Sequence, residues 1–379
     1  MSNAFGQGTI PFAGRSMIWA GDFAQLPPID GKCLFDIDVS SAPPTTNALK
    51  GQKSVLGRAL WHQVTDVVIL KENMRQKSQS KEDAEYRTVL ENLRYNACTS
   101  TDVDVLRKRV ASRSNKAIDL SKDEFRHASM ITARNHCRDR VNDVGCRAFA
   151  KDSGQELHSF YSVDVLRSVT VGTDKVGRKK TISKKITGDA GRPSDSLQDA
   201  LWAVDPADCT NHHTGVLRLC VDMPILIKNN VATELCVTNG AEGKVAGWKA
   251  RDIGRGRKTL EVLFVELIDP KKPLQLTGLP PNVVPISPQN QSITVTLPNA
   301  LKPVHSSRDQ VPILPNFAMT DYCSQGRTRP INIVDLQFCK SYHSVYTALS
   351  RSSTIAGTVI IRMPEMSKLH GKLRKGLRQ

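Results

Sequence analysis

Short β-branched strands alternate with amphipathic helices at both ends of this 379-residue chain, and between them the helices stop. From Gly215 to about Pro298 only short strands are signalled: Leu217-Arg-Leu-Cys-Val221, Pro224-Ile-Leu-Ile-Lys228, Gly243-Lys-Val245 and Leu260-Glu-Val-Leu-Phe-Val265. Asn239-Gly240 is a strong turn signal between two of them. The natural reading is an α/β domain interrupted by a small β-barrel.

The flanking parts carry the α/β signal. Residues 16–20 (Ser-Met-Ile-Trp-Ala) form an apolar run ended by Gly21-Asp22, which predicts a buried strand feeding a loop. Pro27-Pro28 and Pro43-Pro44 keep the next segment irregular, and residues 55–61 suit a helix. Val67-Val-Ile-Leu70 predicts a second buried strand. Ser80 with Asp83, and Thr101 with Asp104, resemble capping boxes opening two helices. Tyr86, Val89, Leu90 and Leu93 share a face of the first; Val103, Leu106 and Val110 share a face of the second. A strand at 129–132 and a helix at 135–149 follow, so the pattern is that of a three-layer α/β domain. After the barrel, residues 331–336 predict a strand, 342–349 a helix and 358–362 a strand.

Charge narrows the partners. Lys and Arg number 53 against 37 Asp and Glu, a net charge of +16 that calls for an anionic partner, nucleic acid above all. The basic residues concentrate in 175–196 and in the tail from Lys368 to Gln379. Residues 150–214 read as a basic, exposed and disordered insertion. No run of 18 apolar residues predicts a membrane span, and no secretory signal opens the chain. Nine cysteines, irregularly spaced and without a C-x-x-C, suit a reducing compartment better than a disulfide framework. Cys209, His212, His213 and Cys220 lack paired ligand spacing and read as loop residues rather than a metal site.

No G-x-x-x-x-G-K-[ST] occurs: Gly31-Lys32, Gly243-Lys244 and Gly371-Lys372 all lack the following Ser or Thr. No apolar strand ends in Asp-Glu to hold magnesium. Four blocks nevertheless look like the other walls of a nucleotide site. In Gly21-Asp-Phe-Ala-Gln-Leu-Pro-Pro28, a Pro-rigid loop can hold Gln25 near a γ-phosphate or its attacking water. In Glu72-Asn-Met-Arg-Gln76, Arg75 can place a guanidinium on phosphate oxygens. Thr320-Asp-Tyr-Cys-Ser-Gln-Gly-Arg-Thr328 offers backbone and hydroxyl donors. In Tyr346-Thr-Ala-Leu-Ser-Arg-Ser352, Arg351 ends an amphipathic helix as an arginine finger would.

The blocks and their order resemble the motifs after the Walker B in the Pif-one family of 5′-to-3′ DNA helicases, the RecD-like branch of helicase superfamily one. Gly21 to Pro28 is similar to the family's third motif, Asn73 to Gln76 to its fourth, Ser324 to Thr328 to its fifth, and Tyr346 to Arg351 to its sixth. Cys220 to Gly243, with Met223-Pro224, Lys228-Asn229-Asn230 and Asn239-Gly240, resembles the family segment entering its inserted barrel. Met319-Thr-Asp-Tyr322 resembles helicases of fungal mobile elements.

The resemblance implies RecA-like P-loop NTPase domains clasping ATP and Mg2+, with single-stranded DNA or DNA junctions as partner, in the nucleus or mitochondrion. Gln25, Arg75 and Arg351 would act on the transferring phosphoryl group. Gly21, Asp22, Gln76, Gln325, Gly326 and Thr328 would line the nucleotide, while Ser324, Thr328 and Asn239 would meet DNA. Cys323 stands where the family usually has Lys. The implied layout is a remnant of the first RecA-like domain (1–65), the second in two parts (66–149 and 299–363), the basic insertion (150–214), the barrel (215–298) and a basic tail (364–379). Such a chain is the C-terminal part of a helicase, expected to be inactive as an ATPase alone; the alternative is a non-catalytic nucleic-acid-binding remnant.

Overall fold

The computed structural model describes residues 11–29, 33, 48–112, 115, 118–173, 179–298, 301–371 and 373. The expectations for Gly31-Lys32, for Pro43-Pro44 and for most of the basic tail lie outside them. In chain order the helices are α1 (Ala48–Trp61), α2 (Lys81–Arg94), α3 (Ser100–Arg107), α4 (Asp123–Arg126), α5 (Asn135–Asp152), α6 (Asp195–Ala203), α7 (Asp321–Ser324) and α8 (Tyr342–Leu349). The strands are β1 (Met130–Thr132), β2 (His158–Tyr161), β3 (Val163–Thr173), β4 (Lys179–Lys185), β5 (Val216–Leu219), β6 (Pro224–Ile227), β7 (Glu242–Asp252), β8 (Lys258–Leu267), β9 (Val283–Ile286), β10 (Gln289–Val295), β11 (Val304–Gln310), β12 (Ile313–Pro315), β13 (Ala318–Thr320), β14 (Asn332–Asp335) and β15 (Thr358–Arg362). They form two compact units, 1–120 with 324–379, and 121–323.

In the first unit β14 and β15 pair in parallel, and the chain at Val110 adds a parallel bridge to Ile360. Helices α2 and α8 pack on each other. Ser80 caps α2, which buries Tyr86, Val89, Leu90 and Leu93 as the spacing predicts. The cap of α3 differs from expectation. It is Thr99 with Asp102, not Thr101 with Asp104. Both pairs have the same spacing, but Asp102 Oδ2 also accepts from Asn92 Nδ2 at 2.8 Å, while Asp104 faces solvent beside Arg107. Tertiary contact decided between two equal local signals.

Residues 16–20 and 67–70 are not strands. Ile18 is 94% exposed, Val68 85% and Leu70 90%. A strand needs a neighbour to satisfy its backbone and cover its side chains. Among the described residues none pairs with either run.

In the second unit β1 and β13 pair in parallel beside α5. Gly145 lets α5 approach closely: a Cβ there would lie 2.4 Å from the Phe317 ring. A curled sheet in the order β12-β6-β7-β8-β2-β5, with β9 also on β8, encloses Phe160, Leu219, Ile225, Val245, Leu263 and Ile286. A second sheet runs β10-β11-β3-β4.

The described part of 150–214 is therefore woven into the β-module rather than set outside it. β2 lies between β8 and β5 and buries Phe160; α6 buries Leu201 against Ile293 and Val295. The lysine-rich stretch masked this, because its charge dominates the window while each buried face supplies only a few apolar residues.

Candidate nucleotide-facing site

Residues of all four sequence blocks meet in the first unit, at α8 and the turn that follows it. The first block is an Asp-initiated turn. Asp22 Oδ1 accepts from Ala24 N at 3.0 Å, and the Asp22 carbonyl accepts from Gln25 N at 3.1 Å. Gln25 Nε2 donates to Asp22 Oδ2 at 3.2 Å. The same oxygen receives Arg94 Nη1 from α2 at 3.1 Å and the Tyr346 hydroxyl from α8 at 3.4 Å. Arg94 Nη1 also donates to the Tyr346 oxygen at 2.9 Å. His343 Nδ1 lies 3.0 Å from the Ala24 carbonyl. The turn is thus fastened to α8 at two points. Gly21 is exposed beside it.

The second block is shaped by Asn73, whose Oδ1 accepts from Arg75 N at 3.0 Å and Gln76 N at 3.1 Å. Arg75 Nε donates to Thr328 Oγ1 at 3.0 Å, and Arg75 Nη1 to the Ser350 carbonyl at 2.8 Å. Buried Gln76 donates through Nε2 to the Ser352 carbonyl. Arg75 and Gln76 of the second block therefore hold the third and fourth blocks, which lie more than 250 residues further along the chain.

Arg351 is 1% exposed. Its Nε donates to the Thr347 carbonyl at 2.9 Å and its Nη2 to Ser350 Oγ at 2.9 Å. Burial, and then the charge of Arg75, push its pKa down to about 10, so it stays charged at neutral pH. The Thr347 hydroxyl in the same turn is buried without a hydrogen-bond partner. Burial, with Asp22 second, pushes the Tyr346 phenol up.

In the third block α7 ends at Ser324, and Gly326 takes φ +78°. Arg327 N closes the turn on the Ser324 carbonyl at 3.2 Å. Ser324 is buried, Gln325 half-buried, Gly326 and Thr328 exposed. Asn239 belongs to the second unit. Its N–H donates to Asn230 Oδ1 at 2.8 Å in the turn between β6 and β7, where Gly240 takes φ +87°. Sequence reasoning gave no role to Arg94 or Tyr346 at Asp22, nor to Ser350 and Ser352, which act through carbonyls. Arg94 reads locally as an ordinary helix-end charge.

This donor set fits an anion. The charges of Arg75 and Arg351 repel, the Thr328 hydroxyl lies beside Arg75, and an anion there would relieve the repulsion. It does not supply a magnesium shell. The Asp22 carboxylate is engaged by Arg94, Gln25 and Tyr346, and among the described residues no group of three His, Cys, Asp or Glu side chains could hold a metal.

No family model and no curated protein matches the sequence. Solved structures do. A Pif1 helicase from Candida albicans is 20% identical with a TM-score of 0.51, over 94% of this chain and 66% of that one. Pif1 helicase from Bacteroides in complex with ADP-AlF3 and ssDNA is 17% identical with a TM-score of 0.47, over 82% and 55%. Bacteroides Pif1 bound to ssDNA is 18% identical with a TM-score of 0.46, over 77% and 51%. The chain spans less than two thirds of each of these structures. The Candida likeness shows the fold: this chain has the RecA-like α/β architecture of a Pif1 helicase with its curled β-sheets.

Proposed function

We propose that this chain is the C-terminal part of an ATP-driven, Pif-one-type DNA helicase, binding single-stranded DNA and presenting Gln25, Arg75 and Arg351 to the γ-phosphate. The observation that carries the reading is the convergence of Arg75 on Thr328 and Ser350, beside Arg351. Arg75 and Arg351 would hold negative charge on the transferring phosphoryl oxygens, and Gln25 would place the attacking water. ATP hydrolysis would supply the closing and opening that moves the motor along a strand. Thr328, already bonded to Arg75, is the step between nucleotide and DNA backbone. A first RecA-like remnant at 1–65 and a second RecA-like domain in two parts, 66–149 and 299–363, belong to this proposal, with the described residues of 150–214 sharing the β-module of 215–298.

A second reading, a non-catalytic nucleic-acid-binding remnant, draws on the lack of a phosphate loop in these 379 residues. Joining the chain to a RecA-like half that carries one separates the two. The fusion should hydrolyse ATP on single-stranded DNA, and Arg351→Ala or Arg75→Ala should lower the rate on the order of 10³-fold. An inactive but folded, DNA-binding fusion favours the remnant. The 379 residues alone should not hydrolyse ATP; DNA-stimulated hydrolysis abolished by Arg351→Ala would refute that.

A further inference from the structure

The β3–β4 ribbon runs on beyond the sheet it grows from. β3 pairs with β11 only through residues 163–166, and with β4 only from Arg167 onward. Two strands therefore continue together from Arg167↔Lys185 to Thr173↔Lys179. At a rise of about 3.3 Å per residue the ribbon is roughly 20 Å long.

A two-stranded ribbon is marginal in water unless something fixes its root. Here a buried ion pair does. Asp164 on β3 and Arg308 on β11, opposite each other in the ladder, are both fully buried and bidentate, at 2.8 and 3.0 Å. Arg308 also donates to the carbonyls of His213 at 3.0 Å and Leu201 at 2.9 Å, and Gln198 Nε2 donates to Asp164 Oδ2 at 2.9 Å.

Beyond that root the two strands carry Arg167, Lys179, Lys180, Lys184 and Lys185 and no acidic residue. Arg167 stands directly across from Lys185, where like charges cost ladder stability. Lys184 and Lys185 are exposed. The strands carry no aromatic residue, so the ribbon cannot stack unpaired bases.

We infer that the β3–β4 ribbon is an arm for double-stranded DNA, lying in the major groove and neutralising phosphates on either side. The B-form major groove is about 12 Å wide and admits a two-stranded ribbon. The deep, narrow groove of duplex RNA does not. The inference rests on the nucleic-acid reading above and adds a duplex contact to the single-strand one.

The test is fluorescence anisotropy with the full chain, a DNA duplex of about two helical turns and an oligo-dT strand, over a salt series. Combining Lys179→Gln, Lys180→Gln, Lys184→Gln and Lys185→Gln should weaken duplex binding about tenfold or more and flatten the log–log salt slope by about 3. Binding to oligo-dT should stay within about twofold, because the ribbon offers it no stacking surface. The matching fourfold Lys→Arg variant should bind duplex like the parent. Unchanged duplex affinity in the Gln variant, or equal losses on both ligands, overturns the arm. A parent chain that binds oligo-dT but no duplex overturns the arm alone. One that binds neither overturns the nucleic-acid reading as well.

Discussion

Arg94, on the last turn of α2, holds the Asp22 carboxylate at 3.1 Å. The pair fixes the turn that carries Gln25, because Asp22 Oδ2 is also the acceptor for the Gln25 amide. Gln25 is thus held by its own Asp22 turn, which Arg94 of α2 fastens from a distant part of the sequence. Arg94→Ala should cost about 0.5–1 kcal/mol, as half-exposed pairs do. It should also speed hydrogen exchange at the Gln25 amide, whose acceptor is the Asp22 carbonyl. An unchanged exchange rate would mean that the Asp22 turn holds itself.

An anion should stabilise the first unit through Arg75 and Arg351. Inorganic triphosphate at about ten times its Kd adds about 1.4 kcal/mol to the stability of whatever folded state it binds. The thermal midpoint should therefore rise with triphosphate and stop rising in Arg75→Ala. Arg351→Ala also vacates a buried position, so Arg351→Lys serves as its partner: charge kept, two-pronged donation lost. Equal shifts in all three variants and the parent would place the anion elsewhere.

The blocks of this site were legible before the structure; the contacts that join them were not. The bounds of α8 and β15 were readable because both are short apolar elements with polar ends. Gln25, Arg75 and Arg351 stood out because their four blocks, in that order, resemble the helicase motifs. What could not be read was contact across the chain. Arg94 and Tyr346 look locally like a helix-end charge and a core aromatic, and only Asp22 gives them a shared purpose. Residues 16–20 and 67–70 failed for the opposite reason. Their local pattern is that of buried strands, but burial is a property of neighbours. Phe160 on β2 was missed because a four-residue strand beside a long basic stretch barely moves the local average.

Those two apolar runs should make the chain associate. Ile18, Val68, Ile69 and Leu70 face solvent, and unpaired β-prone segments recruit partners. Ile18→Lys with Val68→Lys should raise the monomer fraction in light scattering without lowering the thermal midpoint, since neither side chain is packed. A parent that is monodisperse at high concentration would show that these segments are covered in solution.

The Asp164–Arg308 pair offers a large stability effect. Asp164→Asn leaves Arg308 buried without its counter-charge, which costs about 3–5 kcal/mol. The loss should appear in chemical denaturation of the full chain. Replacing both partners, Asp164→Leu with Arg308→Met, should recover much of it, because the desolvation cost of both charges disappears together. A double variant no better than the single one would show that the Leu201 and His213 carbonyls depend on Arg308 for their own hydrogen bonds.

Acid should weaken the fold through His213. The residue is 1% exposed and its Nε2 has no hydrogen-bond partner. Burial first, then the charges of Lys228 and Arg308, push its pKa from 6.5 down to about 4. Unfolded chains therefore take up a proton near pH 6.5 that the folded chain refuses until about pH 4. Stability is fully present above pH 6.5, falls as pH drops toward 4, and levels off below it, by at most about 3 kcal/mol. Lys228, pushed by burial down to about 8, works in the same direction at higher pH, so its contribution grows between pH 8 and 10.5. His213→Gln should remove the part of the slope between pH 6.5 and 4 and leave the alkaline part. Parallel stability curves for parent and variant from pH 4 to 7 would show that His213 takes its proton in the folded chain as readily as in the unfolded one.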